Sequence, residues 1–168
     1  MTDGNPIDDL AAALVGELCA AGKSVATAES CTGGWIAKAL TDIAGSSACF
    51  AYGIVSYSNA AKESLLGVSA DTLRVHGAVS EAVVREMAAG VLQRSGADFG
   101  VAVSGIAGPG GGGADKPVGT VWFAWASRTA SVEAVEATLH RLTGDRAAIR
   151  SQSVVLALEG LRDRLRGG

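Results

Sequence analysis

Two candidate nucleophiles stand side by side in Thr27-Ala-Glu-Ser-Cys-Thr-Gly-Gly34, where Ser30 precedes Cys31 and two glycines close the stretch. A short β-like run, Ser24 to Ala28, leads into this octapeptide, and a helix-like run, about Gly33 to Ile43, leads out of it. The first N–H groups of a helix lack internal acceptors, and the helix dipole makes that end electropositive. Backbone alone can therefore hold an anion or a developing oxyanion beside a hydroxyl and a thiol. The same residues also read as a turn in which Ser30 or Thr32 caps the helix while Gly33 and Gly34 permit the bend. Nothing within the octapeptide separates the two readings.

A serine nucleophile needs a base. The chain has two histidines. His76 lies in the helix-end context Arg74-Val75-His76-Gly77, and His140 lies in a segment that fits strand or helix. Neither has a neighbouring carboxylate in sequence to orient it, and both read as structural. Lysine is the other candidate, in Tyr57-Ser58-Asn59-Ala60-Ala61-Lys62. Ser58 or Asn59 suits an N-cap, which puts Lys62 in the first turn of a helix, where the dipole disfavours a cation. Bringing its pKa from ~10.4 towards ~8 takes about 3 kcal/mol. The dipole supplies a third to a half of this, and burial or a nearby cation must supply the rest. A solvated lysine with no task is the competing reading.

A second loop carries unusual chemistry. Gly105 to Gly113 includes Gly-Pro-Gly-Gly-Gly-Gly at 108 to 113 and formally matches a dinucleotide fingerprint. The fingerprint requires a helix to open on the glycines, but Ala114-Asp115-Lys116-Pro117 and a strand follow, so the match is weak. Either the loop is a plain surface connection or its bare backbone approaches a ligand. In the second case Ser104, at the end of a strand over Phe99 to Val103, faces the same ligand.

The elements that must position these residues alternate between helix and strand. Ile7, Leu10, Leu14 and Leu18 predict a first helix ended by Gly22. After the octapeptide come a strand at Ala51 to Tyr57 and a helix at Ala60 to Leu66 ended by Gly67. A short turn capped by Ser69 follows, then a helix capped by Ser80 and running to Gly96. Phe99 to Val103 and Val118 to Ala126 read as strands. Val132, Val135, Leu139 and Leu142 fit a helical stripe, but the segment follows a short polar turn, Ser127 to Ala130. A hairpin strand is expected over 131–142, because a final helix from Asp145 to about Leu165 already supplies a cover.

Composition narrows the classes. The 168 residues suit one domain, 1–168, with a real core. Hydrophobic residues make up 48%, which excludes disorder, and no apolar run approaches the ~20 residues of a membrane span. Asp3, Asp8 and Asp9 stand where a signal peptide would be basic. A net charge of -3 with interspersed signs argues against a nucleic-acid surface. Cys19, Cys31 and Cys49 show no metal-like spacing and fit reduced thiols in a cytoplasmic protein.

Seven segments in order resemble one family. They are Thr27 to Gly34, Asp42 to Ser47, Tyr57 to Lys62, His76 to Glu81, Val103 to Pro109, Lys116 to Thr120 and Gly144 to Arg146. The chain resembles the CinA C-terminal domain family in its stand-alone form, the bacterial nicotinamide-mononucleotide deamidases. The resemblance implies a three-layer α/β/α sandwich around a mixed, mostly parallel sheet of about five strands. It implies hydrolysis of nicotinamide mononucleotide to nicotinic acid mononucleotide and ammonia, in NAD salvage, through a Ser/Lys dyad. Ser30 falls on the nucleophile and Lys62 on the base, with Tyr57 orienting Lys62 or the substrate. Thr32, Gly33, Gly34, Ser47, Asn59, Ser104, Gly105 and Arg146 fall on substrate contacts, with N–H groups around Thr32 to Gly34 at the oxyanion. Arg146 and the start of the last helix suit the phosphate. No cofactor, metal, nucleic acid or membrane is expected, a homo-oligomer is, and the pyrophosphatase domain of larger members is not. Two alternatives remain: an amidohydrolase that uses Cys31, and a catalytically idle nucleotide-binding module.

Overall fold

The structure, a computed structural model, describes residues 4–129 and 133–167. In chain order its elements are α1 (Pro6–Ala21), β1 (Val25–Glu29), α2 (Trp35–Thr41), β2 (Phe50–Val55), α3 (Asn59–Leu66), α4 (Ala70–His76), α5 (Glu81–Ser95), β3 (Phe99–Gly105), β4 (Thr120–Arg128), β5 (Glu133–Arg141) and α6 (Arg146–Gly167). The five strands form one sheet in the order β2-β1-β3-β4-β5. β1 pairs parallel with β2 and β3, whereas β4 pairs antiparallel with β3 and β5. Four strands thus share one direction and β4 opposes them, so the sheet is mixed, as the resemblance implied.

Helices cover both faces. Ile7, Leu14, Leu18, Ile36, Leu40 and Leu158, from α1, α2 and α6, pack on Val101, Val103 and Phe123. On the other face, Leu66, Leu73, Val84, Met87 and Val91, from α3 to α5, pack on Ala26, Ala28, Ala102, Ala124 and Ala126. Successive strand residues point to opposite faces, so one face of the sheet is bulky and the other is alanine-lined. The small face lets α5 lie close against β1, β3 and β4. This is the three-layer α/β/α sandwich that the family resemblance implied.

Some boundaries differ from the sequence expectation for local reasons. Gly33 and Gly34 adopt φ 61° and 98°, a left-handed backbone that cannot continue a helix, so α2 begins at Trp35. Ser69 occupies the N-cap position of α4 but makes no side-chain cap bond. Ser80 does cap α5, accepting from the Val83 N–H at 3.3 Å. Residues 133–141 are a strand, as expected, with Val135 and Ala137 against α5; Val132 lies outside the described residues. The expected polar turn at 127–130 is displaced: Ser127 and Arg128 still belong to β4, opposite Ala134 and Glu133, and Ala130 lies outside the described residues.

Strand order explains where a site can form. From β1 the chain moves outward to β2, then crosses back through α3–α5 to place β3 on the other side of β1. Connections from β1 and β3 therefore diverge, which opens a crevice beyond their carboxyl ends. Ser30 directly follows β1, and Ser104 and Gly105 end β3.

Candidate active site

Ser30 is held at the end of β1 by its own N–H, which donates to Val103 O at 3.0 Å. Its side chain is nearly buried, at 9% exposure. Lys62 reaches it from α3. The Lys62 side chain is 1% exposed, and its Nζ lies 3.0 Å from Ser30 Oγ, 2.8 Å from Ser56 O and 3.3 Å from Tyr57 O. A neutral amine has two hydrogens and one lone pair. The two carbonyls take the hydrogens, and the lone pair is left for the Ser30 hydroxyl to donate to. An ammonium could donate to all three oxygens, so the same cage serves both protonation states.

Burial holds the Lys62 pKa below its ordinary value, because the charged form is poorly solvated there. The sequence reading asked for burial or a nearby cation, and burial is the cause. Cys31 differs from Lys62 in consequence. It is 6% exposed, and burial pushes its thiol pKa up to about 11, so it is protonated and poorly nucleophilic near neutrality.

The cap of α2 is neither Ser30 nor Thr32. It is Glu29, a buried carboxylate whose oxygens accept from the Ile36 N–H at 2.8 Å and the Ala37 N–H at 3.0 Å. This frees Ser30 from capping and occupies those donors of the helix. The Gly33 N–H is also used, donating to Ser30 O at 3.0 Å. Among the described residues, the N–H groups of Cys31, Thr32 and Gly34 donate to no backbone or side-chain oxygen, and of the three only Cys31 lines the pocket beside Ser30.

A pocket of about 210 Å³ surrounds the pair, lined by Ser30, Cys31, Tyr57, Asn59, Lys62, Ala78, Val79, Ser104, Gly105, Ala107 and Arg146. Seven of the sequence candidates therefore converge: Ser30, Tyr57, Asn59, Lys62, Ser104, Gly105 and Arg146. Ser104 Oγ donates to Ala78 O at 2.8 Å and pins the approach to α5 against the pocket. Arg146 starts α6, with Nη2 donating to Tyr57 Oη at 3.0 Å and Nη1 to Gly108 O at 2.8 Å. It thereby fastens the glycine-rich loop to the rim. Tyr57 touches Lys62 through its carbonyl, whereas its ring is 60% exposed and meets Arg146.

Four candidates lie elsewhere. Thr32, Gly33 and Gly34 line an adjoining groove with Trp35, Lys38 and Arg150. Ser47 lies in a 3₁₀ turn, Ser46–Ala48, at the other end of the sheet, next to Cys49, whose carbonyl accepts from the Val25 N–H at the start of β1. The start of α6 is also partly occupied, because Asp145 caps it through the Ala148 N–H at 2.8 Å. Sequence reasoning missed Glu29, Ser56 and Arg150. Arg150 donates to Cys31 O at 3.1 Å and Thr32 O at 3.2 Å and stacks over Trp35, so α6 clamps the turn that follows Ser30.

Neither histidine lines the pocket. The Lys116 ammonium donates to His76 O, and the His140 ring packs edge-on against Phe123. His140 and Ser151 do share a larger groove of about 430 Å³ between α1, β5 and α6, but Ser151 Oγ donates to Ala148 O in its own helix. Among the described residues, no cluster of three His, Cys, Asp or Glu side chains is placed to hold a metal. No described helix is long and apolar enough to cross a membrane.

Fold and site define an α/β/α protein with a buried serine–lysine pair at the carboxyl ends of its parallel strands. The model of the CinA C-terminal domain matches residues 7–165, and the chain belongs to that family. A relative from Enterobacter agglomerans, named nicotinamide-nucleotide amidohydrolase PncC, is 56% identical over 91% of this chain and 92% of its own. A protein of the same name from Escherichia coli (strain K12) is 56% identical over 86% of each chain. The solved structure of competence/damage inducible protein CihA from Agrobacterium tumefaciens superposes with a TM-score of 0.92 at 47% identity, covering 97% of both chains.

Proposed function

We propose that this protein is a nicotinamide-nucleotide amidohydrolase that converts nicotinamide mononucleotide to nicotinic acid mononucleotide and ammonia. The observation that carries this reading is the buried Lys62 amine 3.0 Å from Ser30 Oγ, inside a pocket at the strand ends. The name borne by two relatives at 56% identity supports the substrate. Pocket size agrees: a cavity of ~150 Å³ accepts a benzene ring, so about 210 Å³ takes a pyridine ring with its carboxamide. Ribose and phosphate then extend over the rim, where Arg146 is the cation at hand.

In this reading Lys62, neutral because buried, takes the Ser30 proton as Oγ attacks the carboxamide carbon. The Cys31 N–H, next to Ser30 in the pocket lining, receives the oxyanion. The Lys62 ammonium returns its proton to the leaving nitrogen, and ammonia departs. Water, deprotonated by the same amine, then attacks the acyl-serine ester and releases the carboxylate. The rise of the Cys31 thiol pKa to about 11 counts against the Cys31 alternative. The substrate-free requirements are modest: the mechanism calls on no cofactor, and we assign the protein to the cytoplasm on its three free thiols.

Purified protein incubated with nicotinamide mononucleotide across the neutral pH range should release ammonia stoichiometrically with the acid product, with the rate rising with pH as the depressed Lys62 loses its proton. Lys62→Arg should abolish this, since a guanidinium does not act as a base. No ammonia from the unaltered protein would leave the idle nucleotide-binding module as the correct reading.

A further inference from the structure

Ser104 stands beside the nucleophile. β1 and β3 run parallel with Glu29 opposite Val103, and the Ser30 N–H continues that ladder by donating to Val103 O at 3.0 Å. Ser30 and Ser104, the next residues of each chain segment, are therefore neighbours about one strand spacing apart, ~4.8 Å. Ala28 and Ala102 both face the layer of α3 to α5, and residues two further on take the same face. Two hydroxyls thus stand side by side in the lining of one pocket. Lys62 reaches Ser30, at 3.0 Å, and leaves Ser104 to another partner.

That partner fixes the Ser104 hydrogen. Ser104 Oγ lies 2.8 Å from Ala78 O. A carbonyl oxygen only accepts, so the single hydrogen of this hydroxyl is committed there. Ser104 is 1% exposed, and among the described residues no donor reaches its oxygen. What it offers the pocket is lone pairs alone. A carboxamide and a carboxylate differ in what they bring to such an oxygen. The amide nitrogen carries two hydrogens, whereas the acid has none and is negatively charged. We infer, on the amidohydrolase reading above, that Ser104 distinguishes substrate amide from product acid by accepting a hydrogen bond from the carboxamide nitrogen.

The same contact sets the direction of attack. With its nitrogen held by Ser104, the amide turns its oxygen away from that hydroxyl and leaves it for the Cys31 N–H. The flipped amide would set its oxygen against the Ser104 lone pairs. So does the product, in which an oxygen replaces the departed nitrogen. The acid can be accommodated only if Ser104 turns its hydrogen away from Ala78 O and leaves that carbonyl unpaired. A site built to receive a substrate hydrogen discriminates against the analogue that lacks it, and repulsion adds to the difference.

Steady-state kinetics with nicotinamide mononucleotide, and inhibition by nicotinic acid mononucleotide, test this on the unaltered protein, Ser104→Ala and Ser104→Cys. Ser104→Ala should lower kcat/KM for the amide by about 10- to 100-fold, the worth of a buried hydrogen bond. Its Ki for the acid should stay unchanged or fall, which also shows that the pocket is intact. Ser104→Cys keeps a weak donor for Ala78 O but is a poor acceptor. It should show the same split, and so separates acceptance from the pinning of Ala78. Equal losses for amide and acid would overturn the proposal, as would full kcat/KM in both variants. Absence of ammonia from the unaltered protein would instead remove the amidohydrolase reading, and the proposal with it.

Discussion

Among the described residues, Lys62 has the largest of the almost wholly buried side chains, and it carries a titratable amine. Its three oxygen neighbours satisfy it without a carboxylate, and burial lowers its pKa by more than the neighbouring Cys31 raises it. Lys62 was legible in sequence because it sits in the first turns of α3, and Ser30 because it lies between a strand and a helix, whereas only the family resemblance joined the two as a pair. Glu29, Ser56 and Arg150 were not legible, because their work is tertiary. A carboxylate seven residues upstream caps α2, a main-chain carbonyl holds Nζ, and a guanidinium 119 residues away grips Cys31 O. Arg146 belongs to this scale too. Arg146→Ala should raise KM for nicotinamide mononucleotide by about 10- to 100-fold, the worth of a charge-assisted phosphate contact. It should change KM for the dephosphorylated riboside much less, and steady-state kinetics on both substrates would check this.

At the scale of elements, the lysine is placed by how closely α3 lies on α5. Gly90 on α5 faces the Leu66 carbonyl at the end of α3, and a Cβ there would come within 1.9 Å of that oxygen. Backbone cannot yield as a flexible side chain does. Gly90→Ala should therefore push α3 outward despite the better helix propensity of alanine, destabilising the protein by about 1–3 kcal/mol. Because α3 carries Lys62, kcat should fall by more than the unfolded fraction explains, as thermal unfolding measured beside turnover would reveal. The alternation of helices and strands was readable from periodicity and from glycines such as Gly22, Gly67 and Gly96, which end helices in the left-handed region. Strand order was not readable. Bringing β3 beside β1, and with it Ser104 to Ser30, depends on packing of the alanine-lined face against α5.

For the whole molecule, a buried lysine links stability to pH. The folded pKa of Lys62 lies below its unfolded value of ~10.4, so between the two the unfolded chain binds more protons and stability rises with pH. Cys31 acts oppositely: raised from 9.0 to about 11, it lowers stability as pH climbs through that interval. Below about pH 9, where the Cys31 contribution has not begun, the lysine dominates, and Lys62→Met should flatten the rise of Tm with pH relative to the unaltered protein. Calorimetry at matched ionic strength would measure it. The account as a whole stands on which of two adjacent residues attacks the amide. The direct measurement is ammonia release from nicotinamide mononucleotide by Ser30→Ala beside Cys31→Ala. Ser30→Ala should lose at least about 10³-fold in kcat, as expected for a covalent nucleophile, while Cys31→Ala keeps near-normal turnover. Turnover that survives Ser30→Ala but vanishes in Cys31→Ala would contradict it.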